Sequence, residues 1–106
     1  MRRLSSLTLI LLLTAGAALP VSAQDDLARR GLAAFMKNGC HGCHTIGTVG
    51  SRLAPDLSHI GRKHGAAYLR QWLRDPQSLR PSAHMPALEL TDADIDLLAV
   101  YLSTLP

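Results

Sequence analysis

The chain has 106 residues, of which 47% are hydrophobic and 18% charged, with a formal net charge of +3. That length admits one domain at most. The averages hide a break, because the first 23 residues differ from the rest. Arg2 and Arg3 form a short basic start, and Leu4 to Leu19 is apolar apart from Ser5, Ser6, Thr8 and Thr14. Val21-Ser22-Ala23 then places small residues at the −3 and −1 positions of a cleavage site. This is the layout of a secretory signal peptide. Residues 1–23 are therefore expected to be cleaved on export to the periplasm, with residues 24–106 as the mature domain.

The apolar run falls short of the ~20 residues that a spanning helix needs. No stable membrane insertion is expected once it is removed. No cysteine stands at the cleavage point, so a lipid anchor there is excluded. Arg2-Arg3 lacks the remainder of a twin-arginine motif, and the general secretory route, with the chain unfolded, is the simpler expectation. Losing two arginines takes the charge from +3 to +1 and leaves only Lys37 and Lys63 among the lysines. A nucleic-acid partner is not expected from so weak a basic excess. A domain this small often needs a disulfide, metal or cofactor to complete its core. Its four aromatics, Phe35, Tyr68, Trp72 and Tyr101, leave room for something else at the centre.

In chain order, Asp25-Asp26 is expected to cap a first helix that runs to about Lys37 and ends at Asn38-Gly39. Residues 40–61 hold Gly42, Gly47, Gly50, Pro55 and Gly61 and read as loop. A second helix fits about Gly65 to Arg74, with Leu69, Trp72 and Leu73 on one face. Asp75-Pro76 stops it. Pro76, Pro81 and Pro86 make residues 76–90 irregular. In the last helix, Thr91 is the N-cap and Asp94 stands three residues on, a variant of the capping box. Ile95, Leu98, Ala99, Leu102 and Leu105 mark its apolar stripe. Strand patterns are lacking, so the expected class is all-α. Loops this long in so small a domain wrap around something or carry function.

Both cysteines lie in Cys40-His41-Gly42-Cys43-His44. C-x-x-C-H is the attachment pattern of c-type haem. Two thiols add across the two porphyrin vinyl groups as thioethers, and the next side chain, His44, is brought under the iron as its proximal ligand. Export fits, since attachment takes place outside the cytoplasm. Three alternatives stand beside this reading. They are a plain disulfide, a thioredoxin-like pair that wants a βαβ context, and a zinc site using two of His41, His44, His59, His64 or His84 with the cysteines. A second axial ligand is expected from Met85, in His84-Met85-Pro86. Its thioether is a soft donor that favours ferrous iron. His84 is the rival, and adjacent residues cannot both face the iron. Met36 reads as packing in the first helix.

On these residues the mature chain resembles the class I c-type cytochromes over nearly its whole length. Gly31 and Phe35 match the family's first-helix positions, and Leu98 and Tyr101 match their partners on the last helix. Ala54-Pro55-Asp56-Leu57 resembles the family's Gly-Pro-x-Leu segment, with Ala54 in place of glycine. Phe35 stands five residues before Cys40, one more than in the mitochondrial members, which implies a small bulge at Asn38-Gly39. The resemblance implies three to four helices with long loops wrapped around one covalently bound haem c. It further implies that the Pro55 carbonyl accepts from the His44 imidazole, that Trp72 lies near a haem propionate, and that Met85 is the sixth ligand. The expected function is one-electron transfer by a non-catalytic carrier with redox-protein donor and acceptor. The alternative is the electron-accepting subunit of an exported dehydrogenase or oxidoreductase complex. A further alternative, gas binding or peroxide chemistry, requires the sixth position to be open, and Met85 argues against it.

Overall fold

The computed structural model describes Ile10, Leu11, Gly16 and residues 22–106. Most of the expected signal peptide, and with it the export segment, lies outside the described residues. Within the described residues four helices carry the fold: α1 (Ala23–Lys37), α2 (Ala66–Arg74), α3 (Pro76–Leu79) and α4 (Asp92–Ser103). Among the described residues no helix is long and apolar enough to cross a membrane.

Helix α1 is capped by Ser22, whose hydroxyl accepts from the Asp25 amide at 3.1 Å. Asp25 and Asp26 occupy its first turn, where their charge favours the positive end of the helix dipole. The cap therefore lies three residues earlier than the sequence suggests. Asn38 closes the helix with backbone and side-chain bonds to the Ala34 carbonyl, and Gly39 takes a left-handed conformation. A 3₁₀ turn over Cys40–Gly42 follows.

Residues 45–50 form a minimal antiparallel hairpin, β1 (Thr45–Ile46) and β2 (Val49–Gly50), paired Thr45 to Gly50 and Ile46 to Val49. Two-residue strands are too short to produce alternation in the sequence. Helix α2 starts after Gly65 and stops at Asp75, whose extended backbone is what a residue before proline adopts. Pro76 then opens α3, one turn in a segment expected to be irregular. Its fixed φ suits the first helical position and its missing N–H costs nothing there. In α4 the Thr91 hydroxyl accepts from the Asp94 amide at 3.1 Å, as the sequence predicts.

The core is the triangle of α1, α2 and α4. Phe35 and Leu98 are each 1% exposed, and Ala99 is fully enclosed. Leu69 and Leu73 of α2 face Ile95 and Leu102 of α4 in the same cluster. Helices α1 and α4 cross at Gly31, where a Cβ would stand 2.1 Å from Cγ of Tyr101. Only a glycine admits that ring. The C-terminal residues fold back over the Ile60–Arg62 turn, with the Gly61 amide donating to the Leu105 carbonyl at 2.9 Å. Leu105, past the end of α4, is partly buried against the core.

Candidate haem site

The helices and loops enclose a cavity of about 880 Å³ that has Phe35, Leu69, Leu98 and Leu102 on its inner wall. The 3₁₀ turn brings Cys40, Cys43 and His44 to one side of it. Met85 and Trp72 line it as well. The two thiols are free, with no disulfide between them. Burial pushes the Cys40 thiol up, so its neutral form faces the cavity. Among the described residues no group of three His, Cys, Asp or Glu side chains is gathered as a metal-holding cluster. The zinc alternative therefore lacks its donor set, and the thioredoxin-like alternative lacks its βαβ frame.

His44 is held from the loop opposite. Its Nδ1 lies 2.7 Å from the Pro55 carbonyl, which leaves Nε2 free for a metal. Two backbone bonds on either side of Pro55 fix that distance. The Ala54 amide donates to the Cys43 carbonyl and the Leu57 amide to the Thr45 carbonyl, both at 2.8 Å. The loop is also tied internally. Ser58 donates from its amide and hydroxyl to the Asp56 carboxylate, and its hydroxyl accepts from the Gly47 amide. These Ser58 bonds, with weaker help from His59 and Arg52, hold the Asp56 carboxyl below the usual carboxylate range. Ala54 fits here because its own φ is negative, positive values among the described residues being confined to glycines. The Gly50 backbone, at φ +112, lies against the His44 carbonyl, where a Cβ would meet the oxygen at 2.0 Å.

Met85 packs partly buried against the core, while its neighbour His84, which lines the same cavity, is exposed. Gln77 of α3, which has no signature in the sequence, donates from Nε2 to the carbonyls of Met85 at 2.9 Å and Ala83 at 3.1 Å. The Trp72 indole N–H points at the Met85 sulfur, with Nε1 to Sδ at 3.2 Å. Tyr68 of α2 stacks on the ring of His64, which precedes the helix, at a centroid distance of 3.9 Å. Arg80 lines the cavity and is in no ion pair among the described residues, whereas Arg70 and Arg74 bridge α2 to Asp96 and Asp92 of α4. His59 is exposed, and its Nδ1 meets the terminal Pro106 carbonyl.

The cytochrome c family model matches residues 28–106, three quarters of the chain and all of this site. The chain belongs to the cytochrome c family. It is 34% identical over 90 residues to cytochrome c oxidase subunit 2 of Alkalihalophilus pseudofirmus, covering 76% of this chain and 26% of that one. It is 32% identical over 75 residues to a nitric oxide reductase subunit of Halomonas halodenitrificans, covering 62% of this chain and 50% of that one. The chain thus spans a quarter to a half of the length of these relatives. Among solved structures it resembles the c-type cytochrome SorU of Sinorhizobium meliloti. There the TM-score is 0.57 and the identity 27%, covering 76% of this chain and 92% of that one. The cytochrome's fold is therefore the class I fold and its cofactor is a covalently bound haem c with its iron. The residues present fit that group, since two free thiols, an oriented imidazole and an apolar chamber meet at one cavity.

Proposed function

We propose that this cytochrome is a one-electron carrier of the periplasm, with Cys40 and Cys43 as the thioether positions and His44 and Met85 as the axial ligands. One observation carries the reading: both thiols, the imidazole and the thioether line a single apolar cavity. Haem supplies a reversible one-electron couple when bound. The chain's residues do the rest. The Pro55 carbonyl fixes the His44 tautomer and makes Nε2 a stronger donor. Met85 closes the other side with a soft ligand that favours the ferrous state. The apolar wall excludes water, which makes charging the metal costlier. With both axial positions filled by the chain, no substrate site is needed, and the role is non-catalytic. Residues 1–23 are the cleaved export signal in this reading, and N-terminal sequencing of the exported protein should begin at Gln24.

A reduced-minus-oxidised spectrum together with a haem stain on a denaturing gel tests covalent attachment. Colourless mature protein, or pigment extracted by acidified acetone, would refute it. The ligand assignment is tested by the Met–iron charge-transfer band of the ferric protein. Met85→Ala should abolish it and His84→Ala should leave it in place. A parent protein without the band removes Met85 from the assignment and leaves His84 as the rival ligand.

A second reading is favoured by the relatives, which are named as subunits of an oxidase and a reductase. In it the same domain accepts electrons within an oxidoreductase complex. Co-purification with a larger catalytic chain, through a contact burying more than about 1,000 Å², distinguishes this from a free carrier.

A further inference from the structure

We propose that Asn38 is a modification site: water hydrolyses its side-chain amide to a carboxylate by way of ring closure with Gly39, and the closed fold holds that reaction in check. Asn38 is the one asparagine of the chain, and a glycine follows it. With no Cβ, Gly39 leaves its backbone nitrogen open to approach the side chain before it. Water is the only reactant needed. The Gly39 nitrogen bonds to Asn38 Cγ, and Nδ2 leaves as ammonia with the proton that Gly39 gives up. Water then adds to one of the two carbonyls of the cyclic imide and breaks its C–N bond. Opening at Cγ leaves an aspartate. Opening at the main-chain carbonyl leaves an isoaspartate, whose main chain runs through Cβ and Cγ.

The structure restrains both partners of the ring closure. Asn38 Nδ2 donates to the Ala34 carbonyl at 2.8 Å and to Asp94 Oδ2 at 3.2 Å, which occupies both of its hydrogens. The Gly39 amide donates to the Met36 carbonyl at 3.1 Å. A ψ of 6° at Asn38 keeps the Gly39 nitrogen over the last turn of α1 and away from Cγ. Gly39 itself is exposed, with nothing within 4 Å of where a Cβ would stand, so water has access. The Asp94 restraint exists only when α4 lies against α1, and a chain whose α4 has not docked lacks it. The product also works against docking. An ionised carboxylate only accepts, so hydrolysis replaces the donor facing Asp94 with a like charge, which disfavours both. Lys37 Nζ, 3.2 Å from Asp94 Oδ2, is then left to face Asp94. Isoaspartate adds a backbone carbon two residues before Cys40, in the turn that delivers the first thiol.

The test uses the holoprotein, which keeps its haem when unfolded because the attachment is covalent. The folded protein, and the same protein held in guanidinium chloride, are incubated at mildly alkaline pH, and the peptide containing Asn38 is followed by mass spectrometry. The amide-to-acid mass change should build up about five- to a hundredfold more slowly in the folded protein, the span that two hydrogen bonds of ordinary net strength support. Asp94→Ala removes one of the two and should raise the folded rate about two- to tenfold. Gly31→Ala loosens the same helix pair without touching Asn38 and should raise it less. No product from the unfolded protein, or equal rates folded and unfolded, overturns the proposal. So does a folded rate that Asp94→Ala leaves unchanged, or that Gly31→Ala raises as much, since the protection then belongs to global stability. If either variant fails to fold, the parent comparison still decides. Asn38→Asp reads the consequence directly and should melt below the parent. Adding Asp94→Asn should recover part of that loss, because a donor again faces a carboxylate, and no recovery refutes the Asn38–Asp94 contact as the point of damage.

Discussion

At the residue scale, the site divides into parts that are local in sequence and parts that are not. Cys40, Cys43 and His44 are legible at once because one 3₁₀ turn sets their geometry. Met85 is legible as a type of atom in a proline-bounded loop. What holds it is not legible, because Gln77 and Trp72 reach it from two other elements and leave no periodic trace. Gln77 donates to the carbonyls of Ala83 and Met85, on either side of His84, and each bond is worth ~0.5–1.5 kcal/mol net. Gln77→Ala should therefore free the loop without touching the cavity wall. The Met–iron band of the ferric protein should then be lost on heating several degrees earlier than in the parent, ahead of the unfolding of α1 and α4 by circular dichroism. Coincident transitions in both proteins would show that Gln77 merely follows the loop.

At the element scale, the α1–α4 crossing decides the fold, and it has a steric and an electrostatic half. The steric half is Gly31. With Cγ of Tyr101 only 2.1 Å from where a Cβ would lie, Gly31→Ala must push the helices apart or turn the ring. Overpacking of that kind costs about 1–3 kcal/mol, so thermal unfolding of the variant should fall well below the parent. Gly31→Ala combined with Tyr101→Ala should recover part of the loss. The electrostatic half is Asp94. Its carboxylate accepts from Asn38 Nδ2 and Lys37 Nζ, each at 3.2 Å, at the C-terminal end of α1. The Asn38 bond first, and Lys37 second, hold its carboxyl below the ordinary carboxylate range. A carboxyl lowered in the folded state contributes stability that is full above its unfolded value, near ~4, and is lost as the pH falls through the lowered folded value. Asp94→Asn should therefore unfold earlier than the parent at neutral pH, and the two melting curves should converge as the pH falls below about 4. A gap that persists in acid would place the effect in packing. Thr91 as the cap of α4 is readable in the sequence because capping is local. Ser22 is not, because it lies in a stretch whose composition reads as a cleavage site. The Thr45–Gly50 hairpin is not, because two residues per strand carry no pattern. Helix α3 is not, because Pro76 signals a stop and a start with the same residue.

At the scale of the whole molecule, charge is the property that the sequence states most clearly, and the fold lowers its effect further. Removal of residues 1–23 leaves a net charge of +1. Of the two remaining lysines, Lys37 is tied to Asp94, and Arg70 and Arg74 are tied to Asp96 and Asp92 on the same helix pair. Arg52, Arg62, Lys63 and Arg80 are the cations that remain outside ion pairs among the described residues. The cavity wall includes Leu53, which is 82% exposed and offers an apolar side chain to a partner that approaches the cofactor there. Electrostatic steering requires a field that salt can screen, and at ~0.15 M salt screening sets in beyond about 8 Å. An apolar contact between weakly charged surfaces has no such field to lose. The second-order rate of electron exchange with the physiological redox partner should thus change less than about threefold as ionic strength rises from ~0.05 to ~0.5 M, measured by stopped flow. Leu53→Lys should slow that reaction at every salt concentration, because a charge must then be buried or the contact forgone. A steep fall of the parent rate with salt would instead mean that the partner's own charges find a complementary patch on this surface, and that the apolar rim does not guide docking.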